Sequence, residues 1–242
     1  MNRFAALAFF LLPLAVVPAD PLWTRAVEIH RDHADLVPGS MAIRFDQYNG
    51  RGELVSTDET VLAIEIGEDG AIESSVTNAT SNGEDVTEDR RRSGRFGSSF
   101  GGPPSAVSQD DGGDGNAFAG LQLSPFDPAE QENVTVTRLS GTRTADGIPA
   151  RAFAFEHRTG ERSVNRGTAW LDPSTGEPIR LRLTIEPLPR FVSELVMTQH
   201  YARDPGGRWA VERMEITGEG RVLFFRRRVQ GVFLFSDYFR AP

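Results

Sequence analysis

The chain of 242 residues has no cysteine, which excludes disulfides, thiolate metal sites and a lipid-modified N-terminal cysteine. Its 26 basic residues are all arginine, so lysine Schiff-base and P-loop chemistry are excluded, and a formal charge of −8 makes nucleic acid a poor partner. A hydrophobic content of 39% is enough for one substantial core.

Residues 1–19 have the order of a secretory signal: a positive start ending at Arg3, an apolar run from Phe4 to Val17, and Val17-Pro18-Ala19 before the cut. The run is short and broken by Pro13, which favours cleavage over an anchor, so the mature chain is expected to begin at Asp20 as a single domain over 20–242. From Pro21 to Val37 the apolar period is helical. Leu22, Ala26, Ile29, His33 and Leu36 form one stripe, Trp23, Val27, His30, Ala34 and Val37 lie beside it, and Pro38-Gly39 ends it. So broad a face requires a large cover, and a concave sheet would supply it.

Three strands are predicted next, over Met41 to Asn49, Thr60 to Ile66 and Ala71 to Thr77, with turns at Asn49-Gly50 and Gly67 to Gly70. Short links between them favour an antiparallel meander. Periodicity then stops, and Ser81 to Gly120, rich in Gly, Ser, Asp and Arg, is expected to be a disordered insertion, either a linker or a cover. Phe96, Phe100 and Phe118 are the residues that would dip into a groove if it were a cover.

Strands resume over Asn133 to Leu139, Ala150 to Glu156, Asn165 to Leu171, Ile179 to Glu186, Phe191 to Arg203, Arg208 to Thr217 and Arg221 to Phe239. The fourth of these alternates without a break: Ile179, Leu181, Leu183 and Ile185 take one face, Arg180, Arg182, Thr184 and Glu186 the other. Asp172 to Pro178 before it holds Pro173, Gly176 and Asp172, all turn formers, so the two arms make a hairpin. A change of parity between Trp209, Val211 and Met214, Ile216 predicts a β-bulge near Glu212-Arg213. In the long last strand Leu223, Phe225, Val229, Phe233 and Phe235 share the apolar parity, and Arg227 falls among them. That guanidinium would have to meet a carboxylate, water or an anionic ligand group, unless a local bulge turns it outward. The whole is expected to be mainly β with an α+β component: a curved antiparallel half-barrel of about ten strands wrapped over the N-terminal helix.

Catalytic constellations are not evident. His30 and His33 lie one helical turn apart near Asp32 and Glu28, but two histidines without a third ligand at a telling distance are a weak metal signal. Asp110, Asp114 and Gly115 echo a calcium loop that lacks its closing glutamate, and no nucleophile is placed beside a base. No cofactor and no metal are therefore expected, and the chain reads as a non-enzyme.

The hairpin Trp170 to Arg180, W-L-D-P-x-T-G-x-P-x-R, and the terminal stretch Arg221 to Tyr238 resemble the LolA/LolB superfamily of periplasmic outer-membrane lipoprotein-sorting proteins. The resemblance implies a LolA-like half-barrel whose apolar inner face holds acyl chains, a periplasmic location, and donor and acceptor proteins at the inner and outer membranes. On that basis the ligand would lie on Ile179, Leu181, Leu183, Ile185, Leu223, Phe225, Val229, Phe233, Phe235 and Arg227. The expected function is a lipid or lipoprotein carrier, with an envelope sensory or protein-interaction module on the same fold as the alternative.

Overall fold

The computed structural model describes residues 20–68, 70–93, 124–188, 191–222 and 225–241. The signal region, the calcium-like residues, Phe96, Phe100, Phe118 and Leu223 lie outside them, and Phe225 is placed by its backbone alone.

Helix α1 (Pro21–Asp32) starts where Asp20 accepts a hydrogen bond from the Leu22 N–H at 2.9 Å, with Pro21 in the first turn, where its missing N–H is no loss. The helix stops five residues before the predicted end. His33 caps it, and Leu36–Val37 forms a strand, β1, that pairs with β14 (Phe239–Arg240). Tertiary pairing from the far end of the chain overrides the helical period there.

The strands that follow are β2 (Ser40–Tyr48), β3 (Leu54–Ile66), β4 (Ile72–Ser81) and β5 (Glu84–Asp85), and after α2 (Thr87–Ser93) and a 3-10 helix (Pro128–Asn133) come β6 (Val134–Arg138), β7 (Arg143–Ala145), β8 (Ile148–Arg158), β9 (Val164–Leu171), β10 (Pro178–Glu186), β11 (Val192–Arg203), β12 (Trp209–Val222) and β13 (Phe225–Ser236). Twelve of them form one sheet in the order β5-β4-β3-β2-β13-β12-β11-β10-β9-β8-β6, with β7 on β8. Every pair is antiparallel. β13 closes against β2 and so joins the N-terminal meander to the C-terminal one. The sheet is open, curved and mainly antiparallel, and α1 lies in its concavity.

Two apolar clusters pack in that concavity. In one, Trp23 and Ala26 of α1 meet Phe126, Phe153, Phe155, Ala169, Leu171, Leu181 and Leu183. In the other, Met41, Leu62, Ile64, Val76, Ala79, Met214 and Phe233 pack together. Met197 on β11 touches both.

The hairpin motif is explained by its own geometry. Asp172 accepts from the backbone N–H groups of Ser174 at 2.7 Å and Thr175 at 3.0 Å, and Gly176 takes φ +76°, a conformation that L side chains resist. The Ser174 hydroxyl and these amides hold the Asp172 carboxyl below its ordinary value of 3.8. Arg180 stands opposite Trp170 in the register and lies 4.3 Å from its ring, a cation–π pair on the outer face. Gly167 on β9 permits the closest strand contact, because a Cβ there would overlap the Arg182 carbonyl and stand 2.8 Å from Phe155 Cζ.

Four expectations are revised. The long strand over Arg221 to Phe239 is a hairpin: β12 runs to Val222, β13 starts at Phe225, and these two residues pair. No bulge turns Arg227 outward. The β13 register is regular there, but β2 ends opposite Arg228, so Arg227 stands beyond the neighbouring strand and is exposed. The alternation of β10 is broken at its start, where a register shift between Pro178 and Arg180 leaves Ile179 as the extra residue. The start of the supposed insertion is ordered. β5 pairs with β4, Thr87 Oγ1 accepts from the Ala79 N–H at 2.8 Å, and Arg91 Nε donates to the Val76 carbonyl at 2.7 Å. The polar side chains of this segment bond backbone, which apolar periodicity does not report. Residues 94–120 of the tract lie outside the described part. The bulge near Glu212 is present: His200 pairs with Arg213 and Tyr201 with Val211, leaving Glu212 unpaired.

Candidate binding cavity

Among the described residues, the concave face between the two clusters is not filled. A cavity of about 270 Å³ remains between the end of α1, the β1 segment, the loop before the 3-10 helix, and strands β3, β4 and β11–β13. One side is apolar, formed by Leu36, Val37, Ile64, Ile72, Met214 and Phe235. The other side is polar, formed by His30, His33, Ser124, Asp127, Gln199 and Tyr201. Trp209, Ala210, Val211 and Tyr238 complete the wall, which contains no arginine among the described residues.

The wall is rigid where it is aromatic. Tyr201 stacks on Trp209 with centroids 4.5 Å apart and planes at 6°. Trp209 Nε1–H donates to the Pro178 carbonyl at 2.9 Å, and the Tyr201 hydroxyl donates to Gln199 Oε1 at 2.6 Å. The Tyr238 hydroxyl donates to the Val211 carbonyl, inside the β12 bulge region. Burial pushes both phenols well above their ordinary range, so they stay neutral donors. At the polar side His33 Nδ1 lies 2.8 Å from the Ile29 carbonyl and therefore carries the proton. Burial lowers the His30 pKa below 6.5, partly opposed by the Asp127 charge and reinforced by His33, so the ring is neutral at pH 7. Asp127 caps the 3-10 helix by accepting from the Ala129 N–H at 2.8 Å.

The sequence-predicted face divides between this cavity and the closed core. Leu181 and Leu183, 0% and 2% exposed, lie beneath α1, with Ile185 partly buried beside them. Phe233 is buried in the second cluster, Phe235 borders the cavity, and Val229 is half-buried. Ile179, half-buried at its bulge, and exposed Arg227 are not in the wall. Sequence reasoning missed Asp127, Gln199, Tyr201, Trp209 and Tyr238 as wall residues, and it weighed His30 and His33 as a weak metal pair or as ordinary residues of the helix face. The shared parity of Gln199 and Tyr201 on β11 was the one local signal available.

Among the described residues no group of three or more His, Cys, Asp or Glu side chains could hold a metal ion. On the outer face His200 Nδ1 stands 3.0 Å from Asp146 and Nε2 3.9 Å from Glu215, while Arg180 reaches Asp146 at 3.2 Å. The His200–Asp146 hydrogen bond and the Arg180–Asp146 pair tie the β7–β8 turn to the sheet.

No protein-family model and no curated protein matches the chain. Among solved structures it is similar to a DUF1329 family protein from Desulfovibrio piger, at 14% identity and TM-score 0.41 over 90% of this chain and 91% of that one. A putative outer membrane lipoprotein-sorting protein domain from Vibrio parahaemolyticus shares 15% identity at TM-score 0.41, over 90% and 93%. A LolA superfamily protein from Nitrosomonas europaea shares 12% at TM-score 0.36, over 90% of each.

Proposed function

We propose that the chain is an exported, non-enzymatic periplasmic protein that binds an acyl chain of a lipid or lipoprotein in the concave cavity. The observation that carries this is the cavity itself: the sheet and helix pack closely on both sides, yet the space between them stays open and is lined largely by apolar side chains. Empty apolar space of this size is costly, and a hydrocarbon chain would fill it at about 0.8 kcal/mol per buried CH₂. Sites for small molecules usually span about 300–1,000 Å³. At about 270 Å³ the cavity suits a segment of one chain, not a whole phospholipid. The signal-like pattern of residues 1–19, with cleavage expected before Asp20, supports export to a compartment where such chains pass between membranes, and among the described residues no helix is long and apolar enough to cross one.

Trp209 in the wall supplies the assay. Titration with a brominated acyl ester is expected to quench its fluorescence saturably, and Ala210→Phe, which adds a ring where Ala210 borders the cavity, is expected to abolish that quenching with the fold intact. Saturable quenching that survives Ala210→Phe, or none in the parent protein, would contradict the proposal.

A further inference from the structure

The polar side of the cavity restricts what can be attached to the chain it holds. Its charged member is a carboxylate, Asp127, and among the described residues no arginine borders the space. A carboxylate or phosphate head buried there would face Asp127 with no cation to balance it, and an anion in a cavity without a partner is strongly disfavoured.

The hydrogen-bonding groups point the same way. Asp127 spends Oδ1 on the Ala129 N–H, and its other carboxylate oxygen can only accept. His33 commits Nδ1–H to the Ile29 carbonyl, which leaves Nε2 as an acceptor. The Tyr201 hydroxyl, the nearest strong donor, is already given to Gln199. Ser124 accepts from the Phe126 N–H and hydrogen-bonds the Tyr201 hydroxyl, Gln199 Nε2 lies 3.8 Å from Met197 Sδ, and His30, kept neutral by burial, offers both a donor and an acceptor. The polar side is therefore rich in acceptors and short of donors. It calls for a head that donates hydrogen bonds and carries no negative charge.

We infer that the cavity takes an acyl chain joined to an uncharged hydroxyl- or amide-bearing head, such as a monoacylglycerol or an N-acyl amide, and rejects free fatty acids and phosphate-bearing lipids. The inference rests on the acyl-binding reading above and narrows it. The head lies against His30, His33 and Asp127, and the chain runs toward Ile64, Met214 and Phe235.

The test compares 1-dodecanoylglycerol with dodecanoate by titration calorimetry of the mature protein at pH 8, each below its micelle concentration. The glycerol ester is expected to bind at least tenfold more tightly. Asp127→Asn, whose side-chain oxygen still accepts from the Ala129 N–H, is expected to tighten dodecanoate and shrink the ratio. Equal affinities, a preference for dodecanoate, or a ratio unchanged by Asp127→Asn would overturn the head-group inference while leaving acyl binding intact. Failure of both ligands to bind would overturn the acyl reading and this inference together. Should Asp127→Asn fold poorly, the comparison in the parent protein decides alone.

Discussion

Replacing Trp23 by alanine tests whether α1 is an integral wall of the half-barrel. Trp23 is 3% exposed, and its ring centroid lies 4.8 Å from that of Phe126, 5.9 Å from Phe153 and 6.4 Å from Phe155. Its Nε1–H donates to Gln131 Oε1 at 3.0 Å, tying α1 to the 3-10 helix. Removing a buried aromatic side chain costs about 3–5 kcal/mol, because transfer energy is lost and a cavity is left. For a domain of this size each kcal/mol lowers Tm by about 2–4 °C, so Trp23→Ala should melt about 6–20 °C below the parent. Trp23→Phe keeps a ring and loses the donor, and the hydrogen bond alone is worth about 1 kcal/mol. It should fall between the two. Thermal and urea unfolding followed by circular dichroism would measure both, with exposed Arg31→Ala as control. If Trp23→Ala unfolded within about 1 kcal/mol of that control, α1 would not be docked as described.

Gly167→Ala should cost about 1–3 kcal/mol or more, since the new methyl meets the Arg182 backbone and the Phe155 ring, neither free to withdraw; denaturant midpoints unchanged from the parent would refute the β9–β10 contact. Leu181→Asp should prevent folding in an expression and unfolding assay, because it buries a charge at a position 0% exposed; a folded, stable variant would mean the face is misassigned. Stability should rise with pH through the window just below 6.5. The folded His30 pKa lies under that of the unfolded ring, so the unfolded chain takes up the proton first as pH falls; a slope that His30→Gln does not flatten would contradict this. A second loss should begin as pH falls below 3.8, where the depressed Asp172 carboxyl is protonated, and Asp172→Ala should weaken that limb.

Local chemistry made much of the fold legible. The hairpin from Trp170 to Arg180 could be read because Asp172 and Gly176 determine the turn within their own neighbourhood. The bulge at Glu212 could be read because an extra residue must shift the apolar parity after it. The β12–β13 hairpin could not, since Leu223-Phe224 carries none of the usual turn residues and the apolar alternation runs straight across. The end of α1 was equally hidden, because the strand that replaces it is recruited by Phe239 and Arg240, about two hundred residues on. Asp58, an acidic residue in a polar run, belongs to β3 and is buried 3.7 Å from Arg90 of α2, a partner that only the folded chain supplies. The cavity was the least legible feature. Its polar side draws His30, Asp127 and Tyr201 from a helix, a loop and a strand, and no spacing in sequence marks them as neighbours.

The most direct test of acyl binding is native mass spectrometry of the mature protein purified from periplasm without detergent, with extraction and identification of anything released. The account predicts a bound species of one acyl chain at near-unit stoichiometry, absent from Ala210→Phe. A parent protein that emerges at its apo mass and stays there after incubation with acyl esters would contradict it.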